Sequence, residues 1–272
     1  MKKYVSIGAA VILGVVASCA TNPFSGKKTW ALVPDSQILP SAFAQYSSFL
    51  KENKVLSGTT DAKMVESVGI KIKNAAERYL NANGYQGYLK DYRWEYKLVE
   101  NKEVNAWCMP GGKIVVYSGI LPVTKTEAGL ATVMGHEVAH ALANHGQQRM
   151  SAGVFQQLGA AGTQILVSEK NEQTQALAMQ AYGTGSNVLG MLPFSRSHES
   201  EADEIGLTLM AIAGYNPTES IAFWQRMSAN SGGAAPPEFM STHPSDATRI
   251  ANLQRLIPIA KVNAAKFGVT FK

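Results

Sequence analysis

The spacing of apolar residues along the chain changes several times, and each change predicts an element. Met64, Val68, Ile72, Ala75, Ala76 and Tyr79 recur every three or four residues, which predicts an amphipathic helix over about Asp61–Asn83, closed by Asn83-Gly84. A helix over about Ser36–Asn53 precedes it. From Tyr92 to Glu100 aromatic and charged residues alternate, the period of a half-buried strand. Val104–Met109 and Lys113–Ser118 flank Pro110-Gly111-Gly112, so a hairpin is expected there. From Thr124 the spacing is helical almost to the end, broken by one long loop, Asn230–Pro244. There is no internal repeat and no Pro- or Ser-rich linker in mid-chain. The order predicts one α+β domain over residues 36–272, mainly helical, with a small sheet ahead of a helical bundle.

The first residues follow a different rule. Lys2 and Lys3 precede an uncharged stretch, Val5–Ser18, of signal-peptide length and too short to span a bilayer comfortably. It ends at Val16-Ala17-Ser18-Cys19, which resembles a bacterial lipobox, where the signal is cut before the cysteine and the thiol is acylated. Residues 1–18 are therefore expected to be a signal peptide and 19–35, with Pro23, Gly26 and Pro34, a lipid-anchored extended tether. Ala20, where Asp would be an inner-membrane signal, points to an outer-membrane lipoprotein of the cell envelope facing the periplasm. The stretch Gly153–Val167 comes nearest to a membrane helix, but Gln156, Gln157, Thr163 and Gln164 interrupt it.

Composition excludes several classes. With 46% hydrophobic and 17% charged residues the chain has material for a core and is not disordered. Two cysteines build neither a disulfide framework nor a four-thiolate metal site. With Cys19 acylated, Cys108 is left as a small buried hydrophobe. Removing Lys2 and Lys3 from the formal charge of +5 leaves +3, and nothing else suggests nucleic acid.

The chemistry is concentrated in His136-Glu137-Val138-Ala139-His140. On a helix the two histidines stand one turn apart on one face and can reach one metal ion, with the glutamate placed to take a proton from water. Thr124 and Glu127 form a capping box that would start this helix. From Leu130 to Ala143 the only ionisable residues are His136, Glu137 and His140. Burying them is costly unless a metal satisfies them, which points to one Zn2+ per chain.

A catalytic zinc needs a third protein ligand. His145 is a candidate by proximity, but a metzincin would need Gly at 143 and His at 146, where this chain has Ala143 and Gly146. His145 is read instead as a helix-end residue favourable to the dipole. Glu199 and Asp203 stand at i and i+4 on a second helix that continues through Leu207 and Met210. They offer one carboxylate ligand and a second that can hold a ligating histidine's other ring nitrogen. Glu201, about 160° around the helix from Glu199, is the alternative ligand.

Asn105-Ala106-Trp107, Pro110-Gly111-Gly112, His136–His140, Glu199–Asp203 and Thr242-His243-Pro244 with Arg249 occur here in one order. In these motifs, and over about Trp30–Leu256, the chain resembles the zinc metallopeptidases that include the CAAX prenyl protease and bacterial membrane quality-control peptidases, family M48. The resemblance implies a zincin-type fold with the sheet beside the H-E-x-x-H helix, and zinc held by His136, His140 and Glu199. It implies peptide hydrolysis with Glu137 as base, Asp203 as a catalytic residue by the family's label, and polypeptide substrates among misfolded or unassembled envelope proteins. Gly112, Lys113, Ile114, Val115 and Val116 resemble the edge strand on which such enzymes lay substrate, with Arg249 counted among the substrate-binding residues. His243 is allowed two roles, an oxyanion donor or a fourth ligand that shuts the site. The transmembrane helices of the integral members are missing, so prenylated substrates are not expected. Ser151–Leu192, poor in charge and rich in Ala, Gly and Gln, is read as helices lidding the cleft; a membrane-surface role is the weaker alternative, because the segment lacks a Lys/Arg-rich polar face. A rival reading is a tethered chaperone or assembly factor with negligible proteolysis.

Overall fold

The computed structural model describes residues 19–230, 239–240, 243 and 247–271. The expected signal segment and most of the loop at 230–244, including Gly232, Gly233, Pro236, Pro237, Thr242 and Pro244, lie outside the described residues.

In chain order the first elements are β1 (Cys19–Thr21), β2 (Lys28–Trp30), α1 (Asp35–Glu52), β3 (Val55–Leu56), α2 (Thr60–Ala82), β4 (Glu95–Val99), β5 (Ala106–Met109) and β6 (Lys113–Tyr117). Helices follow: α3 (Glu127–Leu142), α4 (His145–Val167), α5 (Glu172–Gly185), a π turn at Ser186–Met191, α6 (Leu192–Ile212), α7 (Glu219–Ala229) and α8 (Ala247–Ala265). The architecture is mainly helical with a small mixed sheet, the expected α+β arrangement. Among the described residues no helix is long and apolar enough to cross a membrane. The chain forms two compact units, one of residues 19–38 with 144–198, the other of 39–143 with the residues from 199 onward.

In the first unit, β1 and β2 pair antiparallel, with Cys19 opposite Trp30. An extended tether was expected here. The hairpin forms because Asn22 Oδ1 accepts the Phe24 amide at 2.8 Å, an Asx turn, while Gly26 takes φ +68°. Ser151 fastens this hairpin to α4: its hydroxyl accepts from the Leu32 amide at 3.1 Å, and it lies 3.3 Å from the Trp30 carbonyl. The stretch 151–192 is helical, as its composition suggested.

In the second unit the strand order is β3-β4-β6-β5, with β4 and β6 parallel and the other pairs antiparallel. Gly111 and Gly112, at φ +84° and +82°, make the predicted hairpin turn between β5 and β6. One face of the sheet gathers Val99, Val115 and Tyr117 with Tyr46 of α1 and the rings of Phe49 and Trp107. The other face packs on α2 and α3. The stripe of α2 buries Val68, Ile72, Ala75 and Ala76 as its spacing predicts, with Val65 and Leu80, not Met64 and Tyr79, completing it.

This topology overturns one expectation. Residues Lys113–Val116 do not form an edge, because β6 is bonded to β4 on one side and β5 on the other and is fully buried. Gly112 sits in the turn against the Trp94 ring, where a Cβ would come within 2.7 Å. The edge strand beside α3 is β5.

Candidate metal centre

The motif helix α3 begins at Thr126, not at the expected Thr124 capping box. Thr126 Oγ1 accepts the Gly129 amide at 3.0 Å, while Thr124 ends the preceding turn with its hydroxyl bonded to the Leu121 carbonyl. The last carbonyls of α3 accept from Tyr88 (3.0 Å, Leu142) and Tyr92 (3.2 Å, Ala141). His145 therefore does not close this helix. It opens α4 after Asn144 in the left-handed conformation, and its ring stacks on His198 at 4.1 Å between centroids. Between its ends α3 is buried on all sides, as its near-continuous apolar sequence requires.

Glycines bring the second helix close. A Cβ on Gly135 would stand 2.9 Å from the Gly206 carbonyl oxygen, and a Cβ on Gly206 would stand 2.9 Å from the His136 nitrogen. Thr132 and Met210, one turn farther on, touch at 3.7 Å. The two helices thus cross backbone to backbone, which sets Asp203 opposite His136 and Glu199 opposite His140. The signal was present in the sequence, since Gly206 shares a helical face with Glu199 and Asp203, but it was not read.

Four ligand atoms converge at this crossing. His136 Nε2 lies 3.1 Å from His140 Nε2, 3.2 Å from Glu199 Oε2 and 3.0 Å from His243 Nδ1. His140 Nε2 lies 3.2 Å from Glu199 Oε1, and His243 Nδ1 lies 2.8 Å from Glu199 Oε2. Imidazole lone pairs facing one another at such separations repel unless a cation stands between them. A tetrahedral zinc with bonds of about 2.0–2.1 Å places its ligands about 3.3–3.4 Å apart, close to these values. The donor set, three imidazoles and a carboxylate in a mostly buried cluster, fits zinc. Glu201 stays outside this cluster.

Around the ligands a second layer fixes their orientation. Asp203 Oδ1 lies 3.0 Å from His136 Nδ1, so that ring donates to the carboxylate and turns Nε2 toward the cluster. Arg249 donates to the same Oδ1 at 2.6 Å, with its other nitrogen 3.5 Å from Glu199 and its guanidinium 3.6 Å over the Trp224 ring. Arg249 is buried in this contact and does not offer a substrate-facing surface, contrary to its expected place. Burial depresses the His136 pKa, but hydrogen bonds to Asp203 and Glu199 outweigh it and lift the value to about 9. Burial dominates at His140, whose pKa falls well below normal. Burial would raise Glu199, yet the imidazoles of His136, His140 and His243 hold it well below the carboxylate range. Burial is likewise outweighed at Asp203, chiefly by Arg249.

Glu137 points from α3 into the same space. Its Oε1 is buried and lies 3.3 Å from His243 Nε2. His243 is held by its amide, which donates to the Phe239 carbonyl at 2.8 Å, and by the Phe239 ring at 4.7 Å. Its imidazole therefore stands between the Glu137 carboxylate and the other ligand atoms of the cluster. Cys108, on β5, has its thiol pushed well up by burial and by the Glu137 charge, in keeping with an inert side chain.

The sequence profile of Peptidase family M48 matches residues 71–257, running through both units. The mitochondrial metalloendopeptidase OMA1 of Saccharomyces cerevisiae is 36% identical over 208 residues, covering 72% of this chain and 56% of that protein. Human mitochondrial OMA1 is 27% identical over 264 residues, covering 94% of this chain and 49% of that protein. The β-barrel assembly-enhancing protease of Escherichia coli is 30% identical over 166 residues, 58% of this chain and 33% of its own length. The chain thus spans about half the length or less of these relatives. A profile covering most of the chain and a His-Glu-His cluster built for zinc lead to one assignment: the chain belongs to Peptidase family M48, a family of zinc metalloendopeptidases.

Proposed function

We propose that the chain is an envelope endopeptidase anchored through Cys19 to the outer membrane, facing the periplasm, which cleaves misfolded or unassembled polypeptides and rests in a latent state held by His243. The observation that carries the reading is the placement of His243, with one ring nitrogen in the ligand cluster and the other 3.3 Å from Glu137. The lipobox at Cys19 supports the anchor. The name of the Escherichia coli relative, which refers to β-barrel assembly, supports envelope proteins as substrates. The organelle in the OMA1 names is not carried over, because the basic start and lipobox of this chain read as a bacterial export signal.

When bound, zinc supplies Lewis acidity toward water and the scissile carbonyl. His136, His140 and Glu199 hold it, and Asp203 keeps the His136 ring in its binding tautomer. Glu137 accepts the proton of the attacking water and delivers it to the departing amide nitrogen. The substrate adds as a strand along the outer edge of β5, Ala106–Met109, instead of β6. His243 must leave the cluster before water can attack. It then either stands aside or donates to the developing oxyanion.

One variant separates these roles and also tests the rival chaperone reading. His243→Ala is expected to raise casein cleavage by about tenfold or more, since a resting state that excludes water leaves only a small competent fraction. A fall of about a hundredfold with zinc affinity unchanged would make His243 an oxyanion donor instead. Absence of cleavage in both wild type and variant would favour the chaperone.

A further inference from the structure

The exposed apolar side chains are unevenly distributed. Among the described residues fourteen large apolar side chains are exposed, and eleven of them belong to the unit of residues 19–38 and 144–198; the rest are Ile70, Ile259 and Val262. On α4, Met150, Val154, Leu158 and Ile165 fall within an arc of about 80°, at about 100° per residue, along about 22 Å of helix. Leu158 is 64% exposed, Ile165 73% and Leu166 83%. The opposite side of α4 is already used: Tyr182 of α5 donates to the Gln156 carbonyl at 2.8 Å and packs its phenol against Gly159. Leu177 on α5, which buries no residue, and Leu189 on the π turn extend the apolar surface. From Met150 to Leu192 the chain carries only three charged residues, Glu169, Lys170 and Glu172.

We infer that this helical hairpin is a membrane-contacting face that lies in the interface of a phospholipid bilayer. The inference rests on the anchoring reading above and on where the anchored residue enters the fold. Cys19 is not at the end of a loose tether. It is the first residue of β1, paired with Trp30. Trp30 in turn sets its ring edge-on to Phe155 of α4 at 5.3 Å, and Ser151 bonds to the same stretch of backbone. An acyl chain on Cys19 therefore leaves no spacer between lipid and this unit, so α4 is held within a few residues' reach of the bilayer. An apolar, charge-poor helix face at that distance lowers its free energy by entering the acyl boundary, and adds to a lipid anchor a second hold on the membrane.

The test uses the full chain reconstituted into vesicles of phosphatidylethanolamine and phosphatidylglycerol whose acyl chains carry bromine, a short-range quencher of tryptophan. Leu158→Trp and Ile165→Trp are expected to lose about half or more of the added emission, at the depth of an interfacial helix, and to keep it in the same vesicles without bromine. Equal emission with and without bromine at both sites would overturn the inference. Concentration-dependent shielding of Leu158→Trp without lipid would overturn it in favour of a second copy of the chain. The mass of the Cys19 peptide is read on the same samples. An unmodified Cys19 with Leu158→Trp quenched fails the anchor and leaves the lipid-contacting face standing, whereas acylated Cys19 with no quenching fails the face alone.

Discussion

Gly206→Ala measures how closely the metal centre depends on the crossing of α3 and α6. The added methyl would stand 2.9 Å from the His136 nitrogen and 3.0 Å from the Gly135 carbonyl carbon, all backbone atoms that cannot swing aside. Ordinary contact begins at 3.4 Å, so the helices must part by at least 0.5 Å, the difference between 3.4 and 2.9. Overpacking of this kind costs about 1–3 kcal/mol, and the better helix propensity of alanine returns about 1 kcal/mol. The metal-free fold should therefore lose only about 0–2 kcal/mol. The site is less tolerant, because α6 carries Glu199 and Asp203 while α3 carries His136 and His140. A displacement of about 1 Å costs on the order of a hundredfold in activity, so half of that should cost about tenfold, and zinc affinity should fall by about tenfold with it. Thermal unfolding of the metal-free protein, chelator competition for zinc and casein cleavage measure the three effects separately. Zinc affinity and cleavage within about twofold of wild type would refute the claim that glycine contact sets the ligand geometry.

Two further predictions follow from the surroundings of the ligands. Asp203→Asn leaves buried Arg249 with only the Glu199 carboxylate, 3.5 Å away, as counter-charge, which should cost less than the about 3–5 kcal/mol of a fully unpaired buried charge, and should weaken zinc binding by about 10–100-fold, whereas Glu201→Gln should leave zinc binding within about twofold; equal losses in a chelator titration would restore Glu201 as ligand. In the metal-free chain His136 titrates at about 9 while His140 is neutral, so zinc uptake at pH 7 should release about one proton, seen as a buffer-dependent enthalpy in calorimetry. The sign for stability follows: the raised His136 value stabilises the metal-free fold fully below its ordinary 6.5, and this contribution is lost as pH rises through about 9. Zinc uptake without proton release would contradict the Asp203–His136 bond.

Much of this was legible in the chain because it depends on local periodicity. The spacing of His136 and His140 puts them on one face of any helix, and that of Glu199 and Asp203 does the same. The Pro110-Gly111-Gly112 turn and the closing Asn83-Gly84 follow from backbone preferences that tertiary contacts did not override. Long-range features were not legible in this way. Strand order inserts β6 between β4 and β5 because β4 pairs parallel to it across an intervening hairpin arm, and no local pattern encodes that. Arg249 reads as a surface cation until Asp203 and Trp224 are seen on either side of it. Thr124 and Thr126 offer competing caps, and the choice falls to Thr126 because the preceding turn already uses Thr124. The surroundings of His243, with His136, Glu137 and Glu199 against its ring, come from segments far apart in sequence.

The central claim, that Glu137 works as a base beside zinc held by His136, His140 and Glu199, is tested most directly by measuring bound zinc and casein cleavage together in wild type and Glu137→Gln, each also carrying His243→Ala to relieve latency. The account predicts about one zinc per chain in both proteins, with cleavage falling by at least about a hundredfold when the carboxylate becomes an amide. Undiminished cleavage by the glutamine variant with its zinc in place would contradict it.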